Sequence, residues 1–165
     1  EEPDIFHDVF GHVPLLTDPV FSQFMQAYGK GGMRALGSGQ LHNLARLYWY
    51  TVEFGLIQTP EGLRIYGAGI LSSPVESVFS LESASPNRIG MNVARLMRTR
   101  YRIDDFQQTY FVINSFEQLL HDCYADFGPL YERVRSMPDI AAPDIVPGDN
   151  VIHRGDQSYS GRRSV

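Results

Sequence analysis

The chain has 165 residues, 43% hydrophobic and 20% charged, which suits one packed domain and excludes wholesale disorder. Fourteen basic against nineteen acidic side chains leave a net charge of −5, which argues against a nucleic-acid partner. The single Cys123 excludes an intrachain disulfide or thiolate-cluster metal site, and without a ~20-residue apolar run or signal-peptide pattern the expectation is a soluble, cytoplasmic protein with no membrane partner.

In chain order, PDIFHDVFGH (Pro3 to His12) spaces Ile5, Val9 and Phe6, Phe10 as a helix does, stopped by Gly11 and Pro14. Asp18 is placed to cap a second helix, with Pro19 first and Phe21, Phe24, Met25 and Tyr28 inside. Five glycines from Gly29 to Gly39 predict a flexible loop. Gln40 to Leu56 predicts the strongest helix, apolar nearly all round and therefore interior. Thr59-Pro60-Glu61-Gly62 reads as a turn before a short strand at Leu63 to Tyr66. Ser73, Pro74 and Glu76 supply the cap, first residue and capping-box acid of the next helix. Asn87 is expected to cap another, with Ile89, Val93, Leu96 and Met97 inward. Phe106 to Ile113 predicts a strand. Ser115 with Gln118 opens a helix through Leu119, Cys123 and Phe127, broken by Gly128-Pro129. The fold class is mainly α with a small β-sheet. Residues 1–135 form its body and residues 136–165 a Pro/Gly-rich extended tail, where apolar periodicity gives out.

Of five histidines, only His7 and His12 lie close together. Five residues at 100° leave them roughly 140° apart on a straight α-helix, so they converge only where the helix ends or distorts, which Gly11 allows. Neither the HExxH motif nor a His-x-Asp pair is present. Glu53, between Val52 and Phe54 in the interior helix, is the candidate third ligand. An unpaired carboxylate there is costly, and a cation offsets the cost. Two imidazoles and one carboxylate suit non-haem Fe(II) with open positions for O2. The bland alternatives are two structural histidines and a Glu53–Arg46 ion pair. Arg95, Arg98, Arg100 and Arg102 read as a solvated basic face, and Cys123 as core.

PDIFHDVFGHVPLL (Pro3 to Leu16), ARLYWYTVEFGL (Ala45 to Leu56) and IYGAGILSS (Ile65 to Ser73) resemble the pterin-dependent aromatic amino acid hydroxylases. The similarity continues through SASPNR and TRYRIDDFQQTYFVINSF. The resemblance implies that His7, His12 and Glu53 ligate iron, and that Fe(II), tetrahydrobiopterin and O2 together hydroxylate L-phenylalanine to L-tyrosine. It implies Asp8, Ala45 and Tyr48 on the pterin side. It places Trp49, Phe54, Gly69, Ser72 and Pro3 around the amino acid, with Asp4 orienting the first histidine ring. Tyrosine hydroxylases tend to carry an acid at the position of Ile103, so an apolar residue there favours phenylalanine. Family catalytic domains begin well before PDIFHD, so the resemblance also implies that the domain's N-terminal part is lacking here. A zinc hydrolase using the same ligands, or an inactive metal-binding fragment, is the alternative. No heptads occur, and a monomer is expected.

Overall fold

The computed structural model describes residues 4–124 and 127–161. It opens on a π-helix, His7–His12, that runs into α1 (Val13–Leu16). α2 spans Pro19–Ser38, and the Asp18 carboxylate accepts the N–H groups of Val20 and Phe21, as its capping position predicts. The five glycines expected to form a loop lie within α2 or, for Gly39, at its left-handed C-cap. Packing explains the difference. A Cβ on Gly31 would stand 2.6 Å from the Phe127 ring, so a glycine here lets the neighbouring helix approach closely.

The helix expected over Gln40 to Leu56 divides into three pieces. α3 covers Leu41–Tyr48, a second π-helix covers Trp49–Glu53, and Leu56 already begins β1 (Leu56–Thr59). A turn at Pro60 and Glu61 leads into β2 (Gly62–Ile65), as predicted within a residue. α4 (Ala68–Leu71) precedes α5 (Pro74–Glu82), whose cap Ser73 accepts the Glu76 N–H at 3.3 Å.

Asn87 does not cap a helix. It opens β3 (Asn87–Gly90), because its side chain is claimed by the Pro143 carbonyl at 2.9 Å and the Gly155 N–H at 2.9 Å. Asn92 caps α6 (Val93–Arg98) instead. β4 occupies Thr109–Ile113, α7 Phe116–Tyr124 and α8 Phe127–Arg135. Gly128 and Pro129 lie within α8 and do not interrupt it.

The sheet has the order β2-β1-β4-β3-β5. β4 pairs in parallel with β1 and β3, while β2 and β5 (Val151–His153) add antiparallel edges. β4 is buried along its whole length. Phe21, Phe24, Tyr50, Tyr66, Phe111 and Phe127 form much of the main core, with the Cys123 thiol buried in it as expected and its pKa raised by burial to about 12.

The described residues after Ser136 contribute β5 and carry two acids that reach basic residues of the body. Arg46 forms a two-pronged pair with Asp139, both bonds 2.7 Å, and so does not partner Glu53. Arg95 is buried and meets Asp149 at 3.0 Å, which corrects its assignment to a solvated face. Among the described residues, no helix is long and apolar enough to cross a membrane.

Candidate metal centre and aromatic cleft

A π-helix hydrogen-bonds each N–H to the carbonyl five residues back, so residues i and i+5 stack along its axis. That turns the His7–His12 spacing from a mismatch into a register. The two Nε2 atoms lie 3.0 Å apart with the rings edge to face. The second π-helix closes with the Phe54 N–H on the Trp49 carbonyl at 2.8 Å and presents Glu53 to the same point. Glu53 Oε2 is 3.5 Å from His7 Nε2, and Oε1 is 3.2 Å from His12 Nε2.

α4 sets the spacing between these two π-helices. A Cβ on Gly11 would lie 2.7 Å from that of Ala68, and one on Gly67 would lie 2.4 Å from the Glu53 carbonyl. The backbones therefore touch where the ligand-bearing turns must meet. Gly69 is equally confined: a methyl there would reach 3.0 Å from the Phe54 ring and 3.2 Å from Glu53 Oε2.

The hydrogen bonds around His7 assign its tautomer. Ser72 Oγ donates to the Ala68 carbonyl at 3.0 Å, which uses its one proton. Its lone pair, 2.9 Å from His7 Nδ1, then accepts the Nδ1–H and leaves Nε2 with a bare lone pair. Ser72 thus orients the ring. Asp4 does not, because its Oδ1 accepts the His7 main-chain N–H at 2.9 Å and so acts on the backbone. The outcome is three donor atoms, two imidazole nitrogens and a carboxylate oxygen, all within 4.8 Å of one another. Lone pairs crowded around one point repel unless a cation lies between them. This donor set fits Fe(II) as well as other divalent transition metals.

His7 and Glu53 line one end of a cleft of about 930 Å3. The cleft also takes in Ala45, Tyr48, Trp49, Phe54, Gly69 and Ser72 from the expected set, and Ile103, which is 78% exposed. Trp49 stacks on Tyr101 at 4.5 Å and lies 4.7 Å from Phe54, giving a continuous aromatic wall. Tyr48, with its ring 6.5 Å from His12, has its hydroxyl pKa pushed up to about 12, first by burial and then by the Glu53 carboxylate. Asp8 is exposed and adds only a smaller part to that shift. Pro3 lies outside the described residues.

Sequence reasoning missed three features of this cleft. Tyr101 forms half of the aromatic stack, and Gln107 Oε1 accepts the Trp49 indole N–H at 3.0 Å. Glu76 is buried at the cleft and accepts the Tyr110 hydroxyl at 2.7 Å, while burial and then that carboxylate raise the tyrosine's pKa. No periodicity or spacing signals such cross-chain contacts; only Glu76 was noticed, as a helix-capping acid.

The biopterin-dependent aromatic amino acid hydroxylase profile matches residues 1–129. The chain is 66% identical to the phenylalanine-4-hydroxylase of Caulobacter vibrioides over 160 residues, 97% of this chain and 54% of that protein. It is 65% identical to that of Ralstonia nicotianae, over 94% of this chain and 50% of the relative. The iron- and phenylalanine-bound crystal structure of Chromobacterium violaceum phenylalanine hydroxylase superposes with a TM-score of 0.89 at 61% identity, over 92% of this chain and 56% of that one. The chain spans about half the length of the curated relatives it matches. On the profile match, the identities and the shared fold, the chain belongs to the biopterin-dependent aromatic amino acid hydroxylase family.

Proposed function

We propose that this chain carries the iron-binding part of a phenylalanine 4-monooxygenase, which hydroxylates L-phenylalanine to L-tyrosine with O2 and tetrahydrobiopterin. The observation that carries this reading is the meeting of His7, His12 and Glu53 at the end of an aromatic cleft, in a chain 66% identical to a phenylalanine-4-hydroxylase. His7, His12 and Glu53 would hold the iron. When bound, iron and the reduced pterin supply the activation of O2 that none of the twenty side chains provides.

The chain's own residues do the rest. Ser72 keeps His7 Nε2 deprotonated and aimed inward. Trp49, Phe54 and Tyr101 offer ring faces to an aromatic substrate and keep water from the reacting carbon. Gly69 leaves room beside Glu53 and Phe54. Tyr48 and Ala45 line the cleft and are assigned to the pterin, and exposed Asp8 is assigned there as a hydrogen-bond acceptor. Apolar Ile103 favours phenylalanine over tyrosine, since it gives a substrate hydroxyl no partner. The body, residues 1–135, bears the ligands, and the 136–165 tail braces it through Asp139 and Asp149. A cytoplasmic monomer acting in phenylalanine breakdown fits the acidic, heptad-free sequence.

The test is iron titration and product analysis. The chain is assayed as given and also joined to the part of the Caulobacter relative that it does not match. One Fe(II) per chain is expected, with tyrosine formed from phenylalanine only when tetrahydrobiopterin and O2 are both supplied. Absence of iron uptake, or iron uptake without tyrosine in the joined protein, would overturn the reading.

A further inference from the structure

The cleft wall that bears Ile103 is a loop, residues 102–107, and part of its fastening comes from a segment that does not line the cleft. The Asp105 carboxylate is 1% exposed, meets Arg102 at 3.2 Å and accepts the Phe106 N–H at 2.8 Å. Gln107 Nε2 donates to the Arg102 carbonyl at 2.8 Å, while its Oε1 holds the Trp49 indole. The loop is therefore one wired unit that carries Ile103 and positions the Trp49 ring.

A second segment, from Gly155 to Gly161, crosses behind it. Main-chain bonds fix this strap on the residues before β3: Asp156 N–H donates to the Ala84 carbonyl, Gln157 N–H to the Ser85 carbonyl and Tyr159 N–H to Ser85 Oγ. From that base the Tyr159 hydroxyl donates to Asp105 Oδ1 at 2.9 Å. Its ring packs 5.3 Å from Phe106 and 5.2 Å from Phe79. A side chain that does not itself line the cleft thus holds the hub of the loop that does.

Resting on the function proposed above, we propose that Tyr159 is a positioning residue for the aromatic substrate. Its hydroxyl, through Asp105, sets the 102–107 loop and with it Ile103 and Trp49. A charge-assisted hydrogen bond at a buried carboxylate fixes direction as well as distance, so losing it lets the loop shift while ring packing keeps the strap attached.

Tyr159→Phe separates the two contributions, because it keeps the ring and removes the hydroxyl. Trp49 is the only tryptophan, so its fluorescence reports the loop directly in the chain as given. Acrylamide quenching of Trp49 is expected to rise about twofold in Y159F, with the thermal midpoint close to the parent's. In the turnover assay the KM for phenylalanine is expected to rise about fivefold, the equivalent of one net hydrogen bond, with kcat within about twofold. Asp105→Asn should reproduce both effects, and the double variant should add little to either single one. Unchanged quenching in Y159F, or a fall in kcat at unchanged KM, overturns the proposal. Were no tyrosine formed by any version of the protein, the function reading would fall, while Trp49 quenching would still decide the role of Tyr159.

Discussion

Two of the carboxylates that lie largely out of water, Asp149 and Glu53, have surroundings that differ in kind. Asp149, 4% exposed, faces the Arg95 guanidinium and also accepts the Val146 N–H at 2.9 Å. Glu53, 14% exposed, faces two imidazole nitrogens within 3.5 Å, one of them left bare by its own hydrogen bonding. The first charge is balanced inside the chain and ties the extended tail to α6. The second meets imidazoles and the Tyr48 hydroxyl rather than a guanidinium, an arrangement that a cation from outside would complete. A buried acid with an in-chain cation holds a fold together; one among aligned imidazoles is a candidate metal ligand.

Glu53→Ala tests that contrast most severely. It should abolish iron uptake, lowering affinity by more than about a hundredfold, beyond what loss of a supporting hydrogen bond costs. Metal analysis after dialysis reads the result, and urea unfolding of the metal-free protein should change little. Asp149→Ala should do the reverse. It strands the buried Arg95 and is expected to cost roughly 3–5 kcal/mol of stability. Per folded molecule it should leave iron binding untouched. If both variants lowered stability equally and spared the metal, the contrast would collapse.

Gly11→Ala lies between these two in character. Its Cβ would stand 2.7 Å from that of buried Ala68, so α4 and the first π-helix must part. Overpacking of this kind costs roughly 1–3 kcal/mol. Because the same contact sets the distance between His12 and Glu53, iron affinity and unfolding midpoint should fall together, unlike either previous variant.

The three residues of the candidate metal centre could be picked out in the sequence, whereas the geometry that brings them together could not. A 3.6-residue period puts His7 and His12 on different faces, and only the wider π-turn reconciles them. The same widening at Trp49–Glu53 hid the end of α3 and the start of β1 inside one apolar run. Local signals succeeded where local chemistry decides: Asp18 and Ser73 cap helices as their types predict. They failed where a distant segment competes. Asn87 has a capping side chain, but Pro143 and Gly155 claim it from far along the chain. Arg95 looks like a surface cation and Arg46 like a partner for Glu53 until Asp149 and Asp139 arrive from the tail.

The Arg46–Asp139 pair sharpens the comparison at its weak end. Its geometry is as good as that of Arg95–Asp149, two bonds of 2.7 Å, yet the Asp139 side chain is 47% exposed. Solvent screening should therefore hold its contribution below about 1 kcal/mol. Hydrogen bonding from Arg46 holds the Asp139 carboxyl below its usual value of 3.8. A group with a depressed folded pKa stabilises fully above its unfolded value and loses that contribution as pH falls through the folded one. The benefit of Asp139 should therefore be constant from neutral pH down to about 4 and fade only below that. Asp139→Asn should lower the unfolding midpoint slightly at pH 7 and 0.05 M salt. The difference from the parent should shrink at 1 M salt and fade as pH falls below about 4. A penalty at pH 7 as large as that of Asp149→Ala would mean that geometry outweighs exposure in setting the worth of these pairs.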